Sequence, residues 1–213
     1  IIALIASLVI TKLLINIMPK FGIVDVPSKR RAHDKITPRG GGLAFVLIYS
    51  ILLPSFEYFV VGSIQDSILV LQMFIPISVV SFWDDISHVM IPLRLLIHVL
   101  CSCLAIMWLV HPSPILHYEI PVYLDLAIGT FALLTFLNIY NFMDGIDGIT
   151  VGQSLHYSGT ILLLCFVRYD LIPNVDMVIV TAVIIGGWSL GFIYFNWQPA
   201  KIFLGDVGSI SLG

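Results

Sequence analysis

The chain has 213 residues, 59% of them hydrophobic and only 11% charged, with a formal net charge of −3 at pH 7. An ordinary globular chain is roughly a quarter charged, so a soluble enzyme, a disordered protein and a disulfide scaffold are excluded. What remains is an all-α polytopic membrane protein, because long apolar runs fit spanning helices and not the alternating strands of a barrel. Nucleic acid is not an expected partner, since no solvated basic face is large enough to track phosphates.

Seven spans are predicted in chain order: Ile1–Met18, Gly41–Val61, Ile68–Trp83, Pro92–Val110, Leu124–Tyr140, Val151–Val167 and Met177–Phe195. An eighth apolar run starts at Ser209. The first run is read as a span and not as a cleaved leader, because no small-residue cleavage site follows it. The chain opens at Ile1 without Met and stops inside the eighth run, so residues 1–213 are expected to be a single membrane-embedded domain, incomplete at both ends.

Six of the ten Lys and Arg residues (Lys20, Lys29, Arg30, Arg31, Lys35, Arg39) lie between the first two spans. By the positive-inside rule this connection faces the cytoplasm. Strict alternation then puts Asp84–Ile91, Asn141–Thr150 and Asn196–Gly208 on the same side. Val61–Ser67, His111–Tyr123 and Arg168–Asp176 face outward. Seven of the thirteen acidic residues (Asp25, Asp34, Asp84, Asp85, Asp144, Asp147, Asp206) thus converge on the inner face, while the spans are expected to be nearly charge-free. Charge beside a membrane span is costly without a purpose, so the pattern points to a site assembled from several loops.

Each inner loop has its own chemistry. The first carries Asp25-Val-Pro, then Lys29-Arg-Arg-Ala-His33, then Thr37-Pro-Arg-Gly-Gly-Gly42, and basic residues beside a glycine run suit a phosphate. Asp84-Asp85 are adjacent carboxylates that need a cation or a shared proton. Asn138, Asn141, Asp144 and Asp147 recur every three residues, which on a continuous helix makes one polar stripe. Phe203-Leu-Gly-Asp206-Val-Gly-Ser209 sets a carboxylate among glycines at a helix start, where anions bind well. Hard oxygen ligands with no His/Cys cluster suit Mg²⁺, with Mn²⁺ as a substitute. The expected chemistry is phosphoryl transfer, which is mostly positioning and charge neutralisation. Its acceptor should be a lipid, since the site lies among spans, and no P-loop pattern is present.

The remaining polar residues are read as structural. Cys101, Cys103 and Cys165 are taken as small membrane-facing residues without a C-x-x-C site. His98 and His156 are read as satisfied within their spans, and His111 and His117 as solvated. His88 is left open between a site role and a structural one. Trp83, Tyr140 and Trp197 fit an interfacial belt, and Gly186, Gly187 and Gly191 close helix packing.

The ordered motifs, Asp-Val-Pro-x-x-Arg-Arg-x-His with Thr-Pro-Arg-Gly-Gly-Gly, Asp84-Asp85, Asn-x-x-Asn-x-x-Asp-Gly-x-Asp-Gly and Gly-Asp-x-Gly-Ser, resemble the polyprenyl-phosphate N-acetylhexosamine-1-phosphate transferases of glycosyltransferase family 4. The resemblance runs from Asp25 to Ser209. It implies a bundle of ten or eleven spans in the bacterial inner membrane, with a cytoplasmic cleft. It also implies transfer of N-acetylhexosamine-1-phosphate from a UDP-sugar to undecaprenyl phosphate with release of UMP, starting O-antigen or a similar envelope polymer. Carried over by position, Asp206 and Asn141 would hold Mg²⁺, Phe203 would stack on uracil and Asp147 would contact its edge. Arg94 would meet phosphates, and Asp84, Asp85 and Asp144 would form the catalytic group. His33 and Arg39 join substrate binding as members of the first inner loop. The implied partners are the UDP-sugar, undecaprenyl phosphate and membrane lipids, with a homodimer left open. The alternatives are the phospho-MurNAc-pentapeptide transferase of peptidoglycan synthesis and, from another class, a secondary transporter with carboxylate ion sites. The family's late His-rich loop, which helps recognise the sugar, is expected beyond Gly213.

Overall fold

The computed structural model describes residues 1–27, 35–110, 120–172 and 174–213. His33, Asp34, His111 and His117 lie outside the described residues, as do Lys29, Arg30 and Arg31. Among the described residues eight α-helices follow one another: α1 Ile2–Ile17, α2 Leu43–Val61, α3 Gln65–Ile86, α4 Ile91–Val110, α5 Val122–Met143, α6 Ile149–Val167, α7 Val175–Asn196 and α8 Asp206–Leu212. Seven of them are long and apolar enough to cross a membrane, so the chain is an all-α multi-pass membrane protein. Between α1 and α2 a two-stranded antiparallel pair, β1 Val24–Asp25 and β2 Thr37–Pro38, folds the connection back on itself.

Most of α7 is apolar on every side, which suits a helix surrounded by others. It packs against α1, α2 and α6, with Trp188 and Phe192 fully buried at its centre. Small residues allow the close approach: a Cβ on Gly191 would sit 2.7 Å from the Ser7 Cβ of α1, and one on Gly186 would overlap the Ser158 hydroxyl of α6. This is the packing role expected of these glycines. A second, smaller core joins Ile77 of α3, Cys101 of α4, Leu137 of α5 and Ile210 of α8. The site described below opens where the two halves meet at one end of the bundle.

Several expectations change. The third span runs about a turn further at its C-terminal end than expected, so Asp84 and Asp85 stand on the last turn of α3 and not in the connection after it. The helix continues because both carboxylates are neutralised there by arginines. The polar stripe is not one helix: α5 stops at Met143, Asp144 caps it, and Asp147 lies in the following turn. Asn138 turns away and gives its amide to Leu134 O at 2.7 Å.

The spans are also less free of charge than expected. Glu57 of α2 is buried, and its carboxylate accepts bonds from the Ser63 hydroxyl (3.0 Å) and from the backbone N–H groups of Asp66 (3.2 Å) and Ser67 (2.7 Å). One helix thereby caps the start of the next, where free N–H groups need acceptors. Asp125 in the first turn of α5 is buried as well. Tyr140 is not part of an interfacial belt, since it is buried with its hydroxyl 2.6 Å from Ser154 Oγ. Cys101 and Cys165 are buried inside the bundle and do not face the membrane.

Candidate functional site

The α1–α2, α3–α4, α5–α6 and α7–α8 connections all meet at the same end of the bundle, as alternation requires. Their meeting point is a cleft of about 460 Å³ lined by Arg39, Asn141, Asp144, Asp147, Phe203 and Asp206, with Asp25, Gly145, Ile146, Asn196, Gln198, Leu204 and Gly205. Six of the ten sequence-predicted site residues therefore share one concave surface. Asp84, Asp85 and Arg94 stand behind its wall, joined to it by ion pairs. His33 is outside the described residues.

The wall is a chain of charges. Arg39 reaches Asp85 through Nε at 2.8 Å and Asp206 through a terminal nitrogen at 2.6 Å. Arg94 pairs with Asp84 and stands 3.4 Å from the other oxygen of Asp206. Each of the adjacent carboxylates thus has its own guanidinium, which answers the repulsion expected between them. Asp206 lies between the two arginines, and its side chain is 18% exposed.

Asp85 has a further task. Its side chain is fully buried and accepts the backbone N–H groups of Asp206 (2.9 Å) and Val207 (3.0 Å). The first turn of α8 therefore receives an anion, as expected of a helix start in this motif, but the anion is supplied by α3. Gly205 must be glycine here: its φ is +77°, and a Cβ would come within 2.6 Å of the Asp85 carboxylate.

The glycine run after Arg39 serves close packing. Gly41 and Gly42 donate their N–H groups to Phe203 O (2.9 Å) and Leu204 O (2.8 Å), and Phe203 N–H donates to Pro38 O (2.8 Å). A Cβ on Gly42 would overlap Gly208. These two amides are thus engaged by the α7–α8 loop and are not open to a phosphate.

On the opposite side, Asp147 accepts Ala200 N–H at 3.0 Å. Asn196, buried at the end of α7, accepts Gly148 N–H and donates to Ile202 O, both at 3.0 Å. These bonds fasten the α5–α6 turn to the loop that carries Phe203 and Asp206. Asn196 was missed by sequence reasoning. Its only signal was a carboxamide ending a long apolar run.

Among the described residues no ion pair reaches Asp144. Burial, reinforced by the nearby charges of Asp206 and Asp85 and opposed by Arg39, pushes its carboxyl up to about 7. A carboxylate raised in this way is one that a cation would relieve. No group of three or more His, Cys, Asp or Glu side chains forms a complete metal cage among the described residues. An Mg²⁺ site needs none, because one or two carboxylates, waters and phosphate oxygens suffice. The donor set of Asp206, Asn141 and Asp144 around one cleft fits that ion.

Comparison with known proteins matches residues 67–213 to glycosyl transferase family 4. The whole chain aligns at 28% identity over 237 residues with a protein of Bacillus subtilis (strain 168) named probable undecaprenyl-phosphate N-acetylglucosaminyl 1-phosphate transferase, covering 59% of that protein. Over 101 residues it is 37% identical to the phospho-N-acetylmuramoyl-pentapeptide-transferase of Borrelia hermsii, which is 42% of this chain and 28% of that one. The corresponding Borrelia duttonii protein is 39% identical over 106 residues, 42% of this chain and 30% of its own. The chain therefore spans less than two thirds of the length of each of these relatives.

Proposed function

Since the chain belongs to glycosyl transferase family 4, we propose that it forms the membrane core of a transferase that moves an N-acetylhexosamine-1-phosphate from a UDP-sugar to undecaprenyl phosphate. UMP is released, and the lipid-linked product starts an envelope polysaccharide. The site faces the cytoplasm of a bacterial plasma membrane, since the basic α1–α2 connection lies at the same end as the cleft. The observation that carries this reading is the convergence of Asp144, Asp147, Phe203, Asp206 and two arginines on one cleft at the end of a membrane bundle.

The whole-chain alignment with the Bacillus subtilis protein favours an N-acetylhexosamine donor over the larger peptidoglycan precursor, whose named transferases match only 42% of the chain. Phe203 and Asp147 would take the uracil face and edge. Arg39 and Arg94 would meet the phosphates, with Asp84 orienting Arg94. Asp206, Asn141 and Asp144 would hold Mg²⁺, which supplies neutralisation of the charge on the diphosphate. A phosphomonoester has its second pKa near 6, so at pH 7 the lipid phosphate is already mostly a dianion. It can attack the β-phosphorus in line, forming the new O–P bond as the bond to UMP breaks, with no strong general base. A two-step route through an Asp nucleophile is the rival.

The test is UMP release by the full-length protein from a panel of UDP-sugars with undecaprenyl phosphate, with and without Mg²⁺. Release that depends on both the lipid and the metal, and is abolished by Asp206→Ala, is expected. A full-length protein inert toward every UDP-N-acetylhexosamine would overturn the reading. Sugar phosphate bound to protein without lipid would replace the direct mechanism with the two-step one.

A further inference from the structure

Ser209 is fully buried on α8, three residues after Asp206, and thus on the same face of the helix. Its Oγ lies 2.8 Å from Asn141 Nδ2 at the end of α5 and 3.2 Å from Gly205 O one turn back. A hydroxyl carries one hydrogen and two lone pairs. With its hydrogen directed to Gly205 O, the oxygen meets α5 as an acceptor. An accepting oxygen selects the NH₂ end of the Asn141 carboxamide, and this turns Oδ1 away from Ser209. Asn141 lines the cleft, so the turned oxygen is offered there.

We infer that Ser209 is a positioning residue that fixes the Asn141 carboxamide, so that the cleft presents an oxygen and not an N–H beside Asp206. The inference rests on the reading above that a divalent cation occupies the cleft. A carboxamide is nearly symmetric in shape, and its orientation is set by its hydrogen-bond network. Without Ser209 Oγ the amide can turn over, and its N–H groups would then point toward the neighbouring carboxylates and oppose a cation. The spacing on α8 adds to this: the residue that carries the carboxylate and the residue that orients the carboxamide are held by the same helical turn.

The experiment is an Mn²⁺ titration followed by electron paramagnetic resonance, on the full-length protein in nanodiscs with UDP present. Four proteins are compared: wild type, Ser209→Ala, Asn141→Asp and the double variant. A carboxylate offers oxygen at either end and needs no orientation. Ser209→Ala is expected to weaken Mn²⁺ binding about tenfold in the wild-type background and to change it less than twofold in the Asn141→Asp background, a coupling that a purely structural role would not give. If Ser209→Ala is not recovered folded, Ser209→Cys, whose thiol is a weak acceptor, serves in the same cycle with the same expected pattern. Wild-type protein that binds no Mn²⁺ overturns the cation reading and this inference with it. Wild-type binding with no loss on Ser209→Ala, or with equal losses in both backgrounds, overturns this inference alone.

Discussion

Asp85 is predicted to act as part of the scaffold, and Asp85→Asn tests this against its neighbour Asp84. In Asp85 two oxygens serve three donors: Arg39 Nε at 2.8 Å, Asp206 N–H at 2.9 Å and Val207 N–H at 3.0 Å. Asparagine keeps the shape but has one acceptor and an NH₂ that confronts a donor. Two charge-assisted bonds are lost or reversed, each contributing about 1.5–3 kcal/mol, so the first turn of α8 should loosen by roughly 3–6 kcal/mol. Asp84→Asn is milder. Its side chain is 12% exposed, and asparagine can still accept Val89 N–H, so mainly the Arg94 pair is lost, and none of these bonds holds the backbone of α8. The assay is hydrogen exchange by mass spectrometry on peptides covering 203–212. Asp85→Asn should speed exchange there by at least about a hundredfold, and Asp84→Asn by less than about tenfold. Wild-type protection of this segment in Asp85→Asn would refute the scaffold assignment.

Asp144 gives a pH dependence. Its folded pKa, about 7, lies above the ordinary 3.8, so the folded state holds the proton more tightly than the unfolded state. Metal-free stability should therefore fall as pH rises from about 4 to about 7 and level off above that, by at most about 4 kcal/mol. Thermal unfolding in detergent between pH 5 and 8 should show the decline, and Asp144→Asn should remove that component. Gly42→Ala would press a methyl into Gly208, and overpacking of this kind costs about 1–3 kcal/mol or more. A lowered Tm with UMP release reduced at least tenfold is expected, measured on the same preparation. Glu57→Ala removes the acceptor for three donors at the start of α3, at the far end from the cleft. A loss of about 2–4 kcal/mol in Tm-based stability with an unchanged KM for the UDP-sugar is the expected outcome.

Hydropathy made the seven spans legible because each is a continuous apolar run of about the length the bilayer demands, and the bundle's core adds little that contradicts it. The carboxylates of the site were legible for a related reason: charge at a span end has few structural uses, and alternation of the spans brings Asp144, Asp147 and Asp206 to one side together. Features that depend on a distant partner were not legible. Glu57 reads as an isolated charge in an apolar run until α3 begins beside it. Asn196 reads as a polar boundary residue until the α5–α6 turn folds against it. The two-residue strands at Val24–Asp25 and Thr37–Pro38 are too short to show any period of two. The extra turn of α3 depends on Arg39 and Arg94, which arrive from the α1–α2 connection and from α4. Where the glycine run beside Arg39 suggested phosphate binding, Gly41 and Gly42 are instead engaged by the α7–α8 loop.

The ion-pair geometry also says how such a site can accept anions. Around it Asp25, Asp84, Asp85, Asp144, Asp147 and Asp206 stand with Arg39 and Arg94 among the described residues. Two like charges 4 Å apart near a protein surface repel by about 4 kcal/mol, so a diphosphate needs a counter-charge on Asp206 before it can settle there. Arg39 divides its donors between Asp206, met by a terminal nitrogen, and Asp85, met by Nε, whereas Arg94 turns one terminal nitrogen to both Asp84 and Asp206. A divalent ion on Asp206 would therefore release the terminal nitrogen of Arg39 toward the phosphates while its Nε keeps the scaffold bond to Asp85, and would leave Arg94 on Asp84. The buried Asp85 need never lose its partner, and the first turn of α8 need not move. The adjacent carboxylates make this possible because each anchors one arginine, so the charge transferred to the substrate comes from Asp206 alone.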